Sequence, residues 1–140
     1  RWVVRTAWAI HRAIYRVAGG RRGLWRPTPQ KYGAMLVTTV GRKSGNERSV
    51  ILGYFEDGPN LVTLAMNGWA EGDPAWWLNL KANPHATVVL TEGVRDVNAT
   101  EATGSERTRL WARWHELGSD VDEYSKQRTT ETPVVVLDPR

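Results

Sequence analysis

The sequence predicts an α+β, mainly β fold: a small barrel with an N-terminal helix and two or three short helices. Three observations carry this. From Gly33 onward the apolar pattern alternates with period two over six short stretches. Tight-turn sequences separate several of them. Two stretches with helical spacing interrupt the strands. Many short strands joined by tight turns argue for a barrel.

The front of the chain is different in kind. Residues 2–18 read as an amphipathic helix, with Val3, Ala7, Ile10, Ile14 and Val17 on one stripe. Arg1, Arg5, Arg12 and Arg16 fall almost opposite, Trp8 and Tyr15 flank them, and Gly19-Gly20 ends the helix. The bland reading is a helix packed on the core with its arginines in water. The functional one is peripheral contact with an anionic membrane surface through residues 2–18. Arg21 to Gln30 is a basic connector containing Pro27 and Pro29. The chain thus divides into residues 1–32, helix and connector, and residues 33–140, the barrel.

The strand candidates are 34–40, 49–55, 60–66, 86–91, 94–100 and 133–137. The first two flank Gly41-Arg42-Lys43-Ser44-Gly45-Asn46-Glu47-Arg48 and form a hairpin whose tip carries Arg42 and Lys43. Glu56-Asp57-Gly58-Pro59 and Glu92-Gly93 supply further turns. Asp73-Pro74 opens a helix, with Asp73 expected as its N-cap carboxylate, and Asn83-Pro84 closes it. Thr103-Gly104-Ser105-Glu106 opens a second helix through Leu110, Trp111, Trp114 and Leu117. A shorter helical piece is expected around Val121 to Gln127.

Composition bounds the chemistry. The 140 residues make one domain of ordinary globular composition, 41% apolar and 24% charged. Without cysteine there is no disulfide framework, thiolate nucleophile or cysteine metal site, which suits a reducing cytoplasm. No apolar run approaches the roughly 20 residues of a membrane span. Residue 1 is Arg and not Met, so a targeting segment ahead of it stays open.

Charge is distributed unevenly. Residues 1–46 hold ten Lys/Arg and no acid, and the remainder holds nine bases against fifteen acids. A basic front half suggests an anionic partner. A loop such as 41–48 can aim backbone N–H groups and two cations at one anion, although many Gly-Arg-Lys turns are only solvated.

Other sites are excluded. His11, His85 and His115 lie far apart, without zinc-ligand spacing, so no metal is expected. There is no Gly-x-Ser-x-Gly elbow, no Gly-x-Gly-x-x-Gly and no true phosphate-loop signature. With no evident nucleophile, a cofactor is expected to carry any reaction. Trp76 and Trp77 point about 100° apart on their helix and are not expected to fill one core site. Beside Asn79 and the Met66-Asn67-Gly68 turn, such a pair can wall a pocket for a flat heterocycle.

Three segments together resemble the deazaflavin-dependent nitroreductase family. They are Leu36-Val37-Thr38-Thr39-Val40-Gly41-Arg42-Lys43-Ser44-Gly45, then Asp73-Pro74-Ala75-Trp76-Trp77-Leu78-Asn79-Leu80-Lys81-Ala82-Asn83-Pro84, and Thr132-Pro133-Val134-Val135-Val136-Leu137. Members of that family are actinobacterial split β-barrels, FMN-binding-like in fold, that bind coenzyme F420. This is an 8-hydroxy-5-deazaflavin with a phospholactyl oligoglutamate tail.

The resemblance implies that Arg42 and Lys43 hold the phosphate and tail carboxylates, with Ser44, Gly45, Asn46, Glu47 and Arg48 around them. Leu36, Val37 and Thr38 would line the ring. Leu64, Ala65, Met66 and Asn67 would close it with the helix start Ala75, Trp76, Trp77, Leu78 and Asn79. Nitroimidazole-reducing members carry tyrosines near the active site. Here Gly53, Met66, Gly118 and Val121 stand at the corresponding polar positions, and Tyr124 alone remains as a candidate catalytic proton donor.

The function expected is hydride transfer from reduced coenzyme F420 to a small-molecule acceptor: a quinone, an activated alkene or a nitro compound. Two alternatives stand beside it, an FMN-binding split-barrel oxidoreductase and a non-catalytic basic module for a cofactor or nucleic acid. No nucleic-acid partner is expected, since no recognised nucleic-acid motif is present. The protein is expected to be a monomer or homodimer, cytoplasmic, with membrane association as the variant.

Overall fold

A computed structural model describes residues 23–66, 72–117 and 131–140. Six strands and two helices appear among them: β1 (Gly33–Val40), β2 (Glu47–Asp57), β3 (Asn60–Leu64), α1 (Ala75–Ala82), β4 (His85–Leu90), β5 (Gly93–Glu101), α2 (Gly104–Glu116) and β6 (Val134–Pro139). The strands close into one antiparallel barrel in the order β1-β2-β3-β6-β5-β4, with β4 returning to β1. The α+β, mainly β barrel expected from the alternation is the fold observed. The helix expected at residues 2–18 and the piece around Val121 to Gln127 lie outside the described residues. No helix among the described residues is long and apolar enough to cross a membrane.

Alternation decides which side chains go inside. Met35 and Val37 of β1, Tyr54 of β2 and Val135 and Leu137 of β6 belong to the interior cluster. Phe55, Val62, Leu64, Val134 and Val136 point the other way, where Leu110 and Trp114 of α2 cover them. Leu36 and Val89 form a third patch on the outer face, beneath Leu24 of the connector. The connector is also tied by backbone pairing, the Ala34 N–H donating to the Trp25 carbonyl at 2.9 Å.

Some local expectations need correction. The third strand was expected over 60–66 but ends at Leu64. Beyond it the Ala65 N–H turns to the Pro133 carbonyl and the Met66 N–H to that of Leu64. Asp73 does not cap α1. Pro74 occupies the N-cap with no side-chain cap hydrogen bond, and Asp73 instead lies 3.6 Å from Lys81 Nζ at the helix's far end.

Trp76 and Trp77 both join the barrel's interior cluster, in an edge-on pair with ring centroids 6.4 Å apart. The 100° divergence was read correctly but its consequence was not. Two large rings diverging from a short helix can still share one cluster when they meet edge to face, as these do.

Candidate functional site

The candidate site is built on the β1–β2 hairpin. Register runs without slip to Val40↔Glu47, leaving Gly41 to Asn46 as the connecting loop. The Gly41 N–H donates to the Asn46 carbonyl at 2.7 Å, and the Gly45 N–H to the Gly41 carbonyl at 2.9 Å. Gly45 takes a left-handed φ of 73°, which side chains rarely adopt. A Cβ on Gly41 would sit 2.9 Å from Ser44 Oγ, the atom that accepts the Asn46 N–H. Sequence and steric demand agree closely here: both glycines are needed for the loop to close.

One side chain from α1 fixes the loop's position. Asn79 is buried, yet its Oδ1 accepts from the Arg42 backbone N–H at 3.1 Å and from Arg42 Nη1 at 3.0 Å. Its Nδ2 donates to Thr39 Oγ1 at 3.2 Å. Thr39 and Asn79 are among the few buried polar residues, and the amide satisfies both elements at once.

Among the described residues the loop's cations, like Lys31, Arg95 and Arg140, form no salt bridge, whereas five others do. Arg26, Lys81, Arg107, Arg109 and Arg113 each lie within salt-bridge distance of a carboxylate. Among the described residues Arg42, Lys43 and Arg48 have no such partner. Arg48 makes only a long contact, 3.4 Å, to the Glu47 carbonyl. Glu47, at the loop's base, has its carboxyl pushed up by burial. Three exposed cations on and beside one loop are donors that an elongated polyanion could engage together.

Beside the loop, the outer face of β1 and β2 changes from polar to apolar. Thr38 Oγ1 and Ser49 Oγ lie 2.7 Å apart on paired positions. The next outward pair is Leu36↔Ile51, with Ile51 52% exposed. At Ala34↔Gly53, the ring of Tyr32 lies over the glycine, and a Cβ there would meet Tyr32 Cδ1 at 3.0 Å. The expectation that Gly53 merely removes a group therefore needs correction: its missing side chain admits a tyrosine from the connector. Tyr32 packs in turn on Trp114, with centroids 5.7 Å apart.

Of the expected site residues, the structure gathers Thr38, Arg42, Lys43, Ser44, Gly45, Asn46, Glu47, Arg48 and Asn79 around the hairpin tip. Val37, Ala65, Trp76 and Trp77 put their side chains in the barrel interior. Leu36 lies under Leu24, and Leu64 under α2. Met66 and Ala75 are exposed and Leu78 is half-buried. Asn67 and Tyr124, with Gly118 and Val121, lie outside the described residues. Thr39, Ser49, Ile51 and Tyr32 were missed. For Thr39 a signal existed, since a second threonine ending an apolar strand must find a polar partner once buried. For Tyr32 there was none.

Comparison with known proteins bears on the chain as a whole. The family model described as F420H(2)-dependent quinone reductase matches residues 7–139. An F420H(2)-dependent quinone reductase of Mycobacterium tuberculosis is 30% identical over 131 residues, covering 91% of this chain and 87% of that protein. The solved structure of an F420-H2 dependent reductase, FDR-A, is 32% identical with a TM-score of 0.68. It covers 75% of this chain and 93% of its own. Another solved chain, described as a domain-swapped dimer, is 29% identical with a TM-score of 0.72, covering 96% and 99%.

The split-barrel class, coenzyme F420, the oxidoreductase class and the reductase reaction expected from the sequence are borne out. The nitroreductase label is not: the matching family is named for quinones. The motifs carrying the resemblance lie on the hairpin, α1 and β6. The chain belongs to the F420H(2)-dependent quinone reductase family.

Proposed function

We propose that this chain holds reduced coenzyme F420 by its anionic tail at the Arg42–Arg48 loop and reduces a quinone presented to the neighbouring outer face of the barrel. The observation that supports this most is the set of three exposed cations, Arg42, Lys43 and Arg48, without carboxylate partners among the described residues. Phosphate and glutamate carboxylates suit that donor set: Arg offers a planar fork, Lys a point charge, and the loop its N–H groups.

When bound, the reduced deazaflavin would supply a hydride, and one proton would complete the reduction of a quinone to the quinol. The protein's residues bind and orient. Arg42, Lys43 and Arg48 hold the tail, Asn79 holds Arg42, and the Thr38–Ser49 hydroxyl pair offers polar contacts one step along the sheet. Ile51 and Met66 give exposed apolar surface suited to an apolar acceptor. Tyr124 is proposed as the proton-delivering side chain.

The acceptor proposed is an apolar quinone, ahead of an activated alkene and well ahead of a nitroimidazole. A homodimer is the proposed assembly, supported by a relative that forms a domain-swapped dimer. The proposed location is the cytoplasm, with residues 2–18 of a distinct basic front segment, residues 1–32, resting on anionic lipid. The charge asymmetry and apolar stripe of that segment support the reading.

The test is a fluorescence titration with oxidised coenzyme F420 and with FMN, followed by quinone turnover with reduced F420. Tight binding of F420 alone, with quinol formation, is expected. Preference for FMN, or binding without turnover of any quinone, overturns the proposal.

A further inference from the structure

Arg42 would serve an anion poorly if its long side chain moved freely, and the Asn79 amide is placed to prevent that. We infer that Asn79 is a positioning residue for anion binding: it fixes the backbone and guanidinium of Arg42 together and couples the loop to the seat of α1. This deepens the proposed tail-binding role of the loop and rests on that reading.

The geometry is specific. Oδ1 takes two donors from one residue, the Arg42 N–H and Nη1, which turns that N–H toward α1 and pins one guanidinium nitrogen. Nε and Nη2 of Arg42 remain for a ligand, as do the Lys43 and Ser44 N–H groups. Nδ2 is held by Thr39 Oγ1, so the amide has a single satisfied orientation. Asn79 is 3% exposed and Thr39 1%. An anion therefore meets Asn79 only through Arg42. Because Trp76, Trp77 and Leu80 on the same helix lie in the barrel interior, the tether runs from the loop into the core.

An anchored cation loses less side-chain freedom when it binds, which is where the affinity arises. In titrations followed by ring fluorescence, Asn79→Ala is expected to weaken intact coenzyme F420 about 3- to 10-fold, the scale of a lost hydrogen bond or two. A deazaflavin lacking phosphate and glutamates should bind as before. KM for the coenzyme should rise by the same factor with kcat unchanged, because the reacting end is untouched.

The deciding measurement is the double variant. If Asn79 acts through Arg42, Asn79→Ala weakens binding less in the Arg42→Ala background than in the wild type, because only the backbone N–H contact is left to lose. Additive losses, or equal weakening of the tail-less ligand, would show that Asn79 acts on the fold and overturn the inference. If Arg42→Ala alone leaves F420 affinity unchanged, the loop does not bind the tail, and that reading falls along with this one. Should Asn79→Ala not fold, Thr39→Val frees the amide at nearly constant shape. It should weaken F420 about 2- to 5-fold and the tail-less ligand not at all, and the absence of that difference overturns the inference.

Discussion

Arg42 and Asn79, 37 positions apart in the chain, meet at a single oxygen: Asn79 Oδ1 accepts from the Arg42 N–H at 3.1 Å and from its Nη1 at 3.0 Å. This joins the basic hairpin to α1 and makes one unit of two segments that the sequence presents separately. It also divides the loop's donors. Those facing Asn79 are spent on structure, and those of Lys43, Arg48 and the rest of the Arg42 guanidinium face solvent.

Replacing Arg42 and Lys43 together with Ala should reduce affinity for intact coenzyme F420 roughly 30- to 800-fold, a loss of about 2–4 kcal/mol after screening. The loss should shrink as salt rises and be far smaller for the tail-less deazaflavin. Titration of both ligands at two salt concentrations checks it. Equal weakening of the two would mean that the loop does not read the tail.

Gly53→Ala should cost about 1–3 kcal/mol of stability, as overpacking does, because the new methyl meets Tyr32 Cδ1 at 3.0 Å and Cε1 at 3.2 Å. Urea melts measure the cost. Removing the ring as well, with Tyr32→Ala, should make the glycine substitution nearly neutral. A full penalty in that background would place the strain elsewhere.

The Tyr54 phenol is 1% exposed, and burial, with a smaller push from Glu92 and Glu56, raises its pKa from 10.0 to about 12. The raised value favours the neutral form in the folded state. Its stabilising contribution is therefore complete below pH 10 and is lost as pH climbs through about 12. Two units correspond to about 2–3 kcal/mol. Between about pH 9 and about pH 12 the wild type should lose that much more stability than Tyr54→Phe, measured by denaturant midpoints. Parallel curves for the two proteins would refute it.

Exposed Ile51 on β2 and exposed Met66 after β3 favour flat apolar acceptors. Quinones should be turned over well and nitroimidazoles at least about ten times more slowly in kcat/KM, a difference of about 1.4 kcal/mol. Steady-state rates with reduced coenzyme F420 settle it. Efficient nitroimidazole reduction by the unaltered protein would contradict this account of the substrate side.

Full-length protein should sediment with anionic vesicles at low salt, lose this at high salt, and lose it entirely when residues 1–24 are deleted. Protein that ignores anionic vesicles at every salt concentration would end the membrane proposal.

The sequence by itself determined the elements of the barrel, because strand alternation is local and each turn carries its own chemistry: Gly45, Gly58 and Gly93 all take positive φ where turns were expected. It also singled out the hairpin tip as the candidate site, since clustered charge is visible in one dimension. The family motifs brought the coenzyme with them. Tertiary structure alone decided which groups are free. That Arg109 is spent on Asp57, at 2.9 Å, while Lys43 is not, depends on strand pairing across distant segments. The same holds for Trp76 and Trp77, whose divergence on the helix is a local property but whose burial depends on strands distant in the chain. Tyr32 over Gly53 is the clearest case: nothing along the chain pairs the two residues, and only closure of the connector onto β2 brings ring and glycine together.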